Sequence, residues 1–284
     1  MPSTALTPAQ FADFSEIIAS TLGIKMPPSK QTMLQSRLHR RLRELGLESF
    51  EEYHDKFFND AAHRAEELEH LLNLATTNKT DFFREPDHFD VLVRQVLPAW
   101  IHRPTGPVFR VWCAGCSTGE EAYTIAMMLL EAQSAQRFDF SIRATDVCTR
   151  VLDTAMQAIY PAEQIKPVPQ SLRAKYLLRS RDRSDDRVRI AKEVRAKVRF
   201  GHLNFLAPHF GLPDTLDVIF FRNVMIYFDR PTQQQVVGKM CRHLQPGGTM
   251  FIAHAETLQG LALPLRTVGP SIYRHEPVAA ACKP

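Results

Sequence analysis

The chain has 284 residues, 44% of them hydrophobic and 23% charged. That is enough for one large domain with a small one, and it excludes disorder, collagen and coiled coil as the main architecture. No apolar run approaches the roughly 18 residues of a membrane span. The first ten residues, MPSTALTPAQ, carry no basic-then-apolar leader, and five cysteines make no disulfide framework, so a cytoplasmic protein is expected.

The net charge of +4 hides blocks of opposite sign. Lys30 to Arg43 holds five basic residues and no acidic one, Glu44 to Glu69 holds nine acidic against two basic, and Arg173 to Arg199 holds eleven basic against four acidic. A basic patch suits nucleic acid, an anionic membrane or an acidic protein face, and equally a plain solvated surface.

Residues 1–75 read as helical. Thr7 and Pro8 form an N-cap and first-turn proline before a helix whose Phe11, Phe14, Ile17 and Ile18 share one face. A second helix is predicted over Lys30–Leu45 with Leu34, Leu38, Leu42 and Leu45 as its buried stripe. Arg40 and Arg43 then point away from the stripe, and Arg37 and Arg41 flank it. Further helices are predicted over 48–59 and 61–75, and 76–105 reads as a linker.

From residue 106 strands and helices alternate. Strands are predicted at Val108–Cys113, Asp139–Ala144, Val198–His202, Leu216–Phe221, Thr249–Ala253 and Ser271–His275. Helices are predicted at Glu120–Glu131, Thr149–Ala158 and Pro231–Leu244. This alternation implies βαβ units and a parallel sheet, hence an α/β domain over 106–284. Residues 160–197 interrupt it: prolines 161, 167 and 169 come first, then Leu177–Arg179 and Arg187–Ala191 form a predicted hairpin, so this stretch reads as an insertion.

Four stretches can carry chemistry. In VFRVWCAGCSTGEEAYTIAMML a strand enters a turn with Gly115 and Gly119 and then a helix, which can bring backbone close to a nucleotide-like ligand. It is neither G-x-G-x-x-G nor a P-loop, and alone it is equally a turn without a ligand. Its Cys113 and Cys116 resemble a redox C-x-x-C pair, but Ser117, Thr118 and Gly119 separate the helix from Cys116. No second C-x-x-C or paired histidine motif accompanies them, so no metal is expected. Asp146, ending the next strand, can hold ribose hydroxyls or cap the following helix. Arg222 and Asn223, then Tyr227 and Phe228, follow a strand at the edge where such sheets bind ligands. Asn78-Lys79-Thr80-Asp81-Phe82-Phe83-Arg84-Glu85 joins the two parts, as a lid or as plain packing.

Taken together, NKTDFFRE, RVWCAGCSTGEEAYTIAM, ATDVCTRVLDTAMQAIY, FRNVMIYFD and LQPGGTMFIAHAE resemble the CheR family, the S-adenosylmethionine-dependent methyltransferases of bacterial chemotaxis, in order and over roughly residues 1–275. The resemblance implies an all-α N-terminal domain, a Rossmann-like methyltransferase sheet and a small antiparallel β-subdomain inserted in it. It implies methyl transfer from S-adenosylmethionine to glutamate side chains in the cytoplasmic signalling domain of chemoreceptors, with S-adenosylhomocysteine as product.

By position, the resemblance implies cofactor contacts from Asn78, Thr80, Arg84, Glu121, Asp146, Asn204, Phe205, Arg222 and Asn223. It places Arg84 and Tyr227 nearest the transferred methyl, and it turns the helix with Arg37, Arg40, Arg41 and Arg43 toward the receptor. Family members that tether to a receptor's C-terminal peptide tend to have glycines in the hairpin turn. Ser180–Asp186 has none, so direct binding to the signalling helices is expected. A monomer is the default, and no aromatic-interleaved basic stretch supports nucleic acid. The competing readings are a methyltransferase of another acceptor, a nonenzymatic S-adenosylmethionine sensor, and a thiol oxidoreductase using Cys113 and Cys116.

Overall fold

A computed structural model describes residues 5–102, 106–182, 184–212 and 215–276, so one position of the hairpin turn, Arg183, lies outside it. The chain forms two compact units. One takes the residues up to Thr77 together with Tyr227–Thr232, and the other takes Asn78–Ile226 and the chain from Gln233 onward.

The first unit is four helices. Helix α1, Pro8–Leu22, starts in a capping box: Thr7 Oγ1 accepts from the Gln10 N–H, Gln10 Oε1 accepts from the Thr7 N–H, and Pro8 fills the first turn. Gly23 ends it at φ 72°, a left-handed turn. Helix α2, Gln31–Leu45, buries Leu34, Leu38 and Leu42. Helices α3, Phe50–Asn59, and α4, Ala61–Ala75, begin at the side-chain caps Ser49 and Asp60. Phe14 packs its ring 5.7 Å from Tyr53 and 5.6 Å from Phe57 to make the core of the unit. Leu45, the last of the predicted stripe, is only half-buried because it lies at the helix end.

The second unit opens with helices in a stretch that reads as a linker. Helix α5, Asp87–Val91, runs through a π-helical turn, Leu92–Val96, into α6, Leu97–Ile101. Phe89, Leu92 and Leu97 are buried in the same core as the sheet. Strand β1, Val108–Ala114, is followed by α7, Glu120–Ala135; β2, Asp139–Asp146; and α8, Thr149–Gln157. The insertion holds β3, Ile159–Tyr160; α9, Gln170–Tyr176; β4, Leu177–Arg179; and β5, Val188–Ile190. Then come α10, Lys192–Arg195; β6, Val198–His202; β7, Leu216–Phe220; α11, Arg230–His243; β8, Leu244–Phe251; β9, Leu265–Gly269; and β10, Ile272–His275.

The main sheet has the order β6-β2-β1-β7-β8-β10-β9. The first five strands are parallel, and β10 runs antiparallel to β8 and β9. Every residue of β7 is buried, as a central strand covered on both faces requires. The predicted hairpin is β4 against β5, and a third short strand, β3, pairs with β5 to complete a small antiparallel sheet. Two edges differ from the sequence reading. Strand β8 starts at Leu244 instead of Thr249 because the Pro-Gly-Gly stretch is absorbed in a register shift between Leu216 and Val218 of β7. Strand β9 was not expected, since its residues are half or fully exposed and show no apolar alternation.

Candidate functional site

Strands β1, β2, β6 and β7 are parallel, so their carboxyl ends share one edge. The chain leaves β1 toward β2 on one side and returns to its other side as β7, which makes this edge the topological switch point where such sheets bind ligands. The turn after β1 is fixed there by backbone. The N–H groups of Gly115 and Cys116 both donate to the Thr145 carbonyl of β2, at 2.8 and 2.9 Å. Gly115 has φ 82°, and a Cβ on it would stand 2.4 Å from Val224 Cγ2. Glycine is required both by the left-handed backbone and by this close approach.

Asp146 ends β2 and is buried. Its Oδ2 accepts from the Ser117 N–H at 2.8 Å and its Oδ1 from the Cys148 N–H at 3.0 Å. It therefore fixes the glycine turn and the chain leading into α8 at once, without capping that helix itself. Burial pushes its carboxyl up from the ordinary range, against the pull of the backbone N–H donors. The Leu203 N–H donates to the Asp146 carbonyl, which brings the Asn204 turn alongside. Asn204 Oδ1 accepts from the Leu206 N–H at 2.9 Å. The ring of Phe205 is buried against Trp112, Phe210 and Phe221. Of the predicted pair, Asn204 is thus the half-exposed member and Phe205 supports it from the core.

Arg222 is the hub of the site. Its side chain is 1% exposed and lies between two carboxylates, Glu85 Oε2 and Glu121 Oε2, each at 2.9 Å. Its Nη2 also donates to the Arg84 carbonyl at 2.6 Å. The contact with Glu121 is a charge pair without hydrogen-bond alignment. A buried guanidinium needs such partners, and each carboxylate is held in place in return. Glu121 Oε1 also accepts from the Cys113 thiol at 3.2 Å. Arg84 itself is half-buried, and its Nη1 donates to the Lys79 carbonyl at 3.2 Å. Its two neighbours, Phe83 and Glu85, both have positive φ, 56° and 53°. Side chains other than glycine rarely adopt that backbone, and such strain clusters at functional sites. Asn223, at φ 60°, and Ser117, at φ 49°, share the feature.

Asn78 joins the same edge: its carbonyl accepts from Ser117 Oγ at 2.8 Å and its amide lies 3.5 Å from Cys148 Sγ. Thr80 is half-buried in that segment. Tyr227 groups with the helical unit, where its carbonyl accepts from the Lys25 N–H at 3.0 Å and its hydroxyl donates to the Thr77 carbonyl. Cys113 and Cys116 are buried, and burial first, then nearby carboxylates, raises both thiols well above their ordinary range. That opposes thiolate chemistry and argues against the oxidoreductase reading.

The four arginines of α2 divide in two. Arg37 Nη1 donates to the carbonyls of Leu74 and Thr76 at 2.6 and 2.7 Å, closing the end of α4. Arg41 pairs with the buried Glu67 through Nε at 3.0 Å and Nη2 at 2.5 Å. The side chain of Arg40 is 54% exposed, and Arg43 is exposed as well.

Sequence reading missed Glu85 and Glu256. Glu256 Oε2 accepts from the N–H groups of Asn223 and Ala253 at 3.0 and 2.9 Å, so it shapes the Arg222–Asn223 turn. The only signal for either was its presence inside a matched stretch, FFRE and HAE.

Residues 78–273 match the family described as CheR methyltransferase, SAM binding domain, and residues 9–76 match CheR methyltransferase, all-alpha domain. Chemotaxis protein methyltransferase 2 of Pseudomonas aeruginosa is 38% identical over 270 residues, spanning 94% of this chain and 93% of that protein. The chemotaxis protein methyltransferases of Escherichia coli and Borreliella burgdorferi are 36% and 34% identical, over 95% and 90% of this chain and 91% and 90% of theirs. With both domains matched in order, and with the glycine turn, Asp146 and the Arg222 hub gathered at one sheet edge, the chain belongs to the CheR methyltransferase family.

Proposed function

We propose that this methyltransferase moves the methyl group of S-adenosylmethionine onto glutamate side chains in the cytoplasmic signalling domain of chemoreceptors, forming methyl esters in chemotactic adaptation. The observation that carries the cofactor part is the acidic carboxyl edge of the sheet. Asp146 and Glu121 stand there beside a glycine turn of left-handed backbone. A cofactor with ribose hydroxyls and a cationic amino-acid end fits such an edge: Asp146 suits the hydroxyls, and Glu121 with Asn78 suits the rest. The names of the relatives support methylation in chemotaxis, and the receptor glutamate is the acceptor that the family resemblance implies.

The bound cofactor supplies an activated methyl on a sulfonium. A glutamate side chain with a pKa near ~4.3 is ionised at neutral pH and needs no base to become a nucleophile. The chain's own work is alignment and exclusion of water. Arg84 is assigned to orient or neutralise a carboxylate, because it is half-buried and its backbone is clamped by Arg222. Tyr227 is assigned to border the methyl, Asn204, Asn223 and Thr80 to line the cofactor, and Phe205 to hold the Asn204 turn from the core. Arg40 and Arg43 are the α2 residues assigned to the receptor.

The test is to incubate the purified protein with methyl-labelled S-adenosylmethionine and chemoreceptor-containing membranes from the same cell, then to count label released as volatile methanol after alkali. Receptor-dependent, alkali-labile counts are expected, because esters hydrolyse there and N-methyl groups do not. Label that stays bound would move the acceptor to another chemistry.

A further inference from the structure

His88 is fully buried on α5, and neither of its ring nitrogens has a hydrogen-bond partner among the described residues. An unsatisfied buried imidazole is costly and asks for an occupant. Its Nδ1 stands 3.6 Å from Glu85 Oε2, beyond hydrogen-bonding distance. Its ring lies 4.8 Å from the ring of His254, in edge contact. One ligand atom from each of Glu85, His88 and His254 lies within 4.8 Å of the others.

We propose that Glu85, His88 and His254 form a structural zinc site that fastens the start of helix α5 to the loop after β8. Two imidazoles and a carboxylate are a ligand set that Zn²⁺ accepts, with Zn–N and Zn–O distances of about 2.0–2.2 Å. Ligand atoms around such an ion sit roughly 3.3 Å apart, so modest side-chain movement closes the site. Second partners are in place. Asp87 Oδ2 lies 3.1 Å from His254 Nε2, the His254 N–H donates to the Glu85 carboxylate, and Arg222 holds Glu85 Oε2. Such outer contacts orient ligands in zinc sites. The charge beside the site also favours a dication: the carboxylates of Glu85 and Asp87 stand there against the Arg222 guanidinium. No metal motif announces the site, because its Glu-x-x-His half and His254 are far apart in the chain.

The experiment titrates Zn²⁺ alone into the chelator-treated full chain by calorimetry, follows thermal unfolding with and without Zn²⁺, and records the absorption spectrum with Co²⁺ as a second probe. The variants are His88→Phe and His254→Ala; the His254 side chain is 45% exposed, so its removal leaves the fold intact even where the His88 change does not. The expected result is one high-affinity equivalent and a raised melting temperature in the wild type. His254→Ala should weaken Zn²⁺ at least tenfold and abolish the intense Co²⁺ bands of a low-coordinate site. Equal Zn²⁺ affinity in wild type and His254→Ala, or no high-affinity equivalent in the wild type, would overturn the proposal.

Discussion

Arg84 and Asp146 differ in what their side chains do for the fold, and that difference sets what their replacement should show. The Arg84 backbone is held by Arg222 through its carbonyl, so removing the side chain leaves the clamp in place. Arg84→Ala is therefore expected to lower turnover by about 10²-fold, the cost of misaligned reactants, with an unchanged melting temperature. Steady-state methylation alongside calorimetric melting checks this, and wild-type rates would remove Arg84 from the mechanism. Asp146 is different because its oxygens hold Ser117 and Cys148. Asp146→Asn turns one acceptor into an NH₂ that faces a backbone N–H, and it removes the charge offered to a ribose. A charged hydrogen bond contributes about 1.5–3 kcal/mol. The expected outcome is S-adenosylmethionine binding weaker by roughly 10- to 150-fold, together with a modest loss of stability. Titration calorimetry with unchanged cofactor affinity would show that Asp146 only builds the turn.

Between elements, the Arg41–Glu67 pair ties α2 to α4. Glu67 is 2% exposed and also accepts from the Tyr53 hydroxyl at 3.3 Å. Burial alone would raise its pKa, but the hydrogen bond and charge of Arg41, with His70 and His63, outweigh burial and lower it. A carboxylate whose folded pKa lies below its unfolded value stabilises the fold above about pH 4.3, the unfolded value. That contribution is lost as pH falls through the folded value. The helical unit is thus expected to lose stability in acid below that point and to stay level toward neutrality. Glu67→Gln is expected to cost about 1.5–3 kcal/mol at neutral pH, the loss of charged hydrogen bonds, with Arg41 keeping Glu44, and to flatten the acid dependence. Urea unfolding of both proteins at neutral and acid pH measures this, and identical acid profiles would show that another group controls the transition.

Much at this scale was legible beforehand. The Thr7 cap, the leucine stripe of α2 and strands β1, β2, β6 and β7 follow from local patterns, and those patterns also separated Arg40 and Arg43 from Arg37 and Arg41. Glycine spacing located the turn after β1. The Arg222 hub was not legible, because Glu85, Glu121 and Arg222 meet only when the sheet forms, and nothing local marks an arginine that will be buried. The helices over Asp87–Ile101 escaped for a related reason: Pro86 and Pro98 punctuate them, and a π-helical turn breaks their apolar period.

At the scale of the whole chain, charge is sorted along the sequence, and the basic block of α2 is divided between internal and external use. Arg37 and Arg41 bond to α4, whereas Arg40 and Arg43 face solvent. A receptor surface with acidic helices would feel only the second pair. Arg40 also lies 3.7 Å from Glu44, but an exposed pair of this kind contributes only about 0.2–1 kcal/mol and leaves the arginine free to exchange partners. Reversing both charges, Arg40→Glu with Arg43→Glu, is expected to raise the receptor KM about tenfold at low salt through slower association. Binding of S-adenosylmethionine and the melting temperature should not change, because neither residue touches the sheet edge or the interior of the helical unit. Added salt should shrink the difference, since the screening length falls to about 10 Å at 0.1 M. The same reversal at Arg37 and Arg41 should instead lower the melting temperature, because it opposes Glu67 and strands the carbonyls at the end of α4. Receptor methylation measured across a salt series with both double variants, alongside their melting temperatures, separates the two outcomes. A loss at Arg40 and Arg43 that ignores salt would take the receptor off this face of α2.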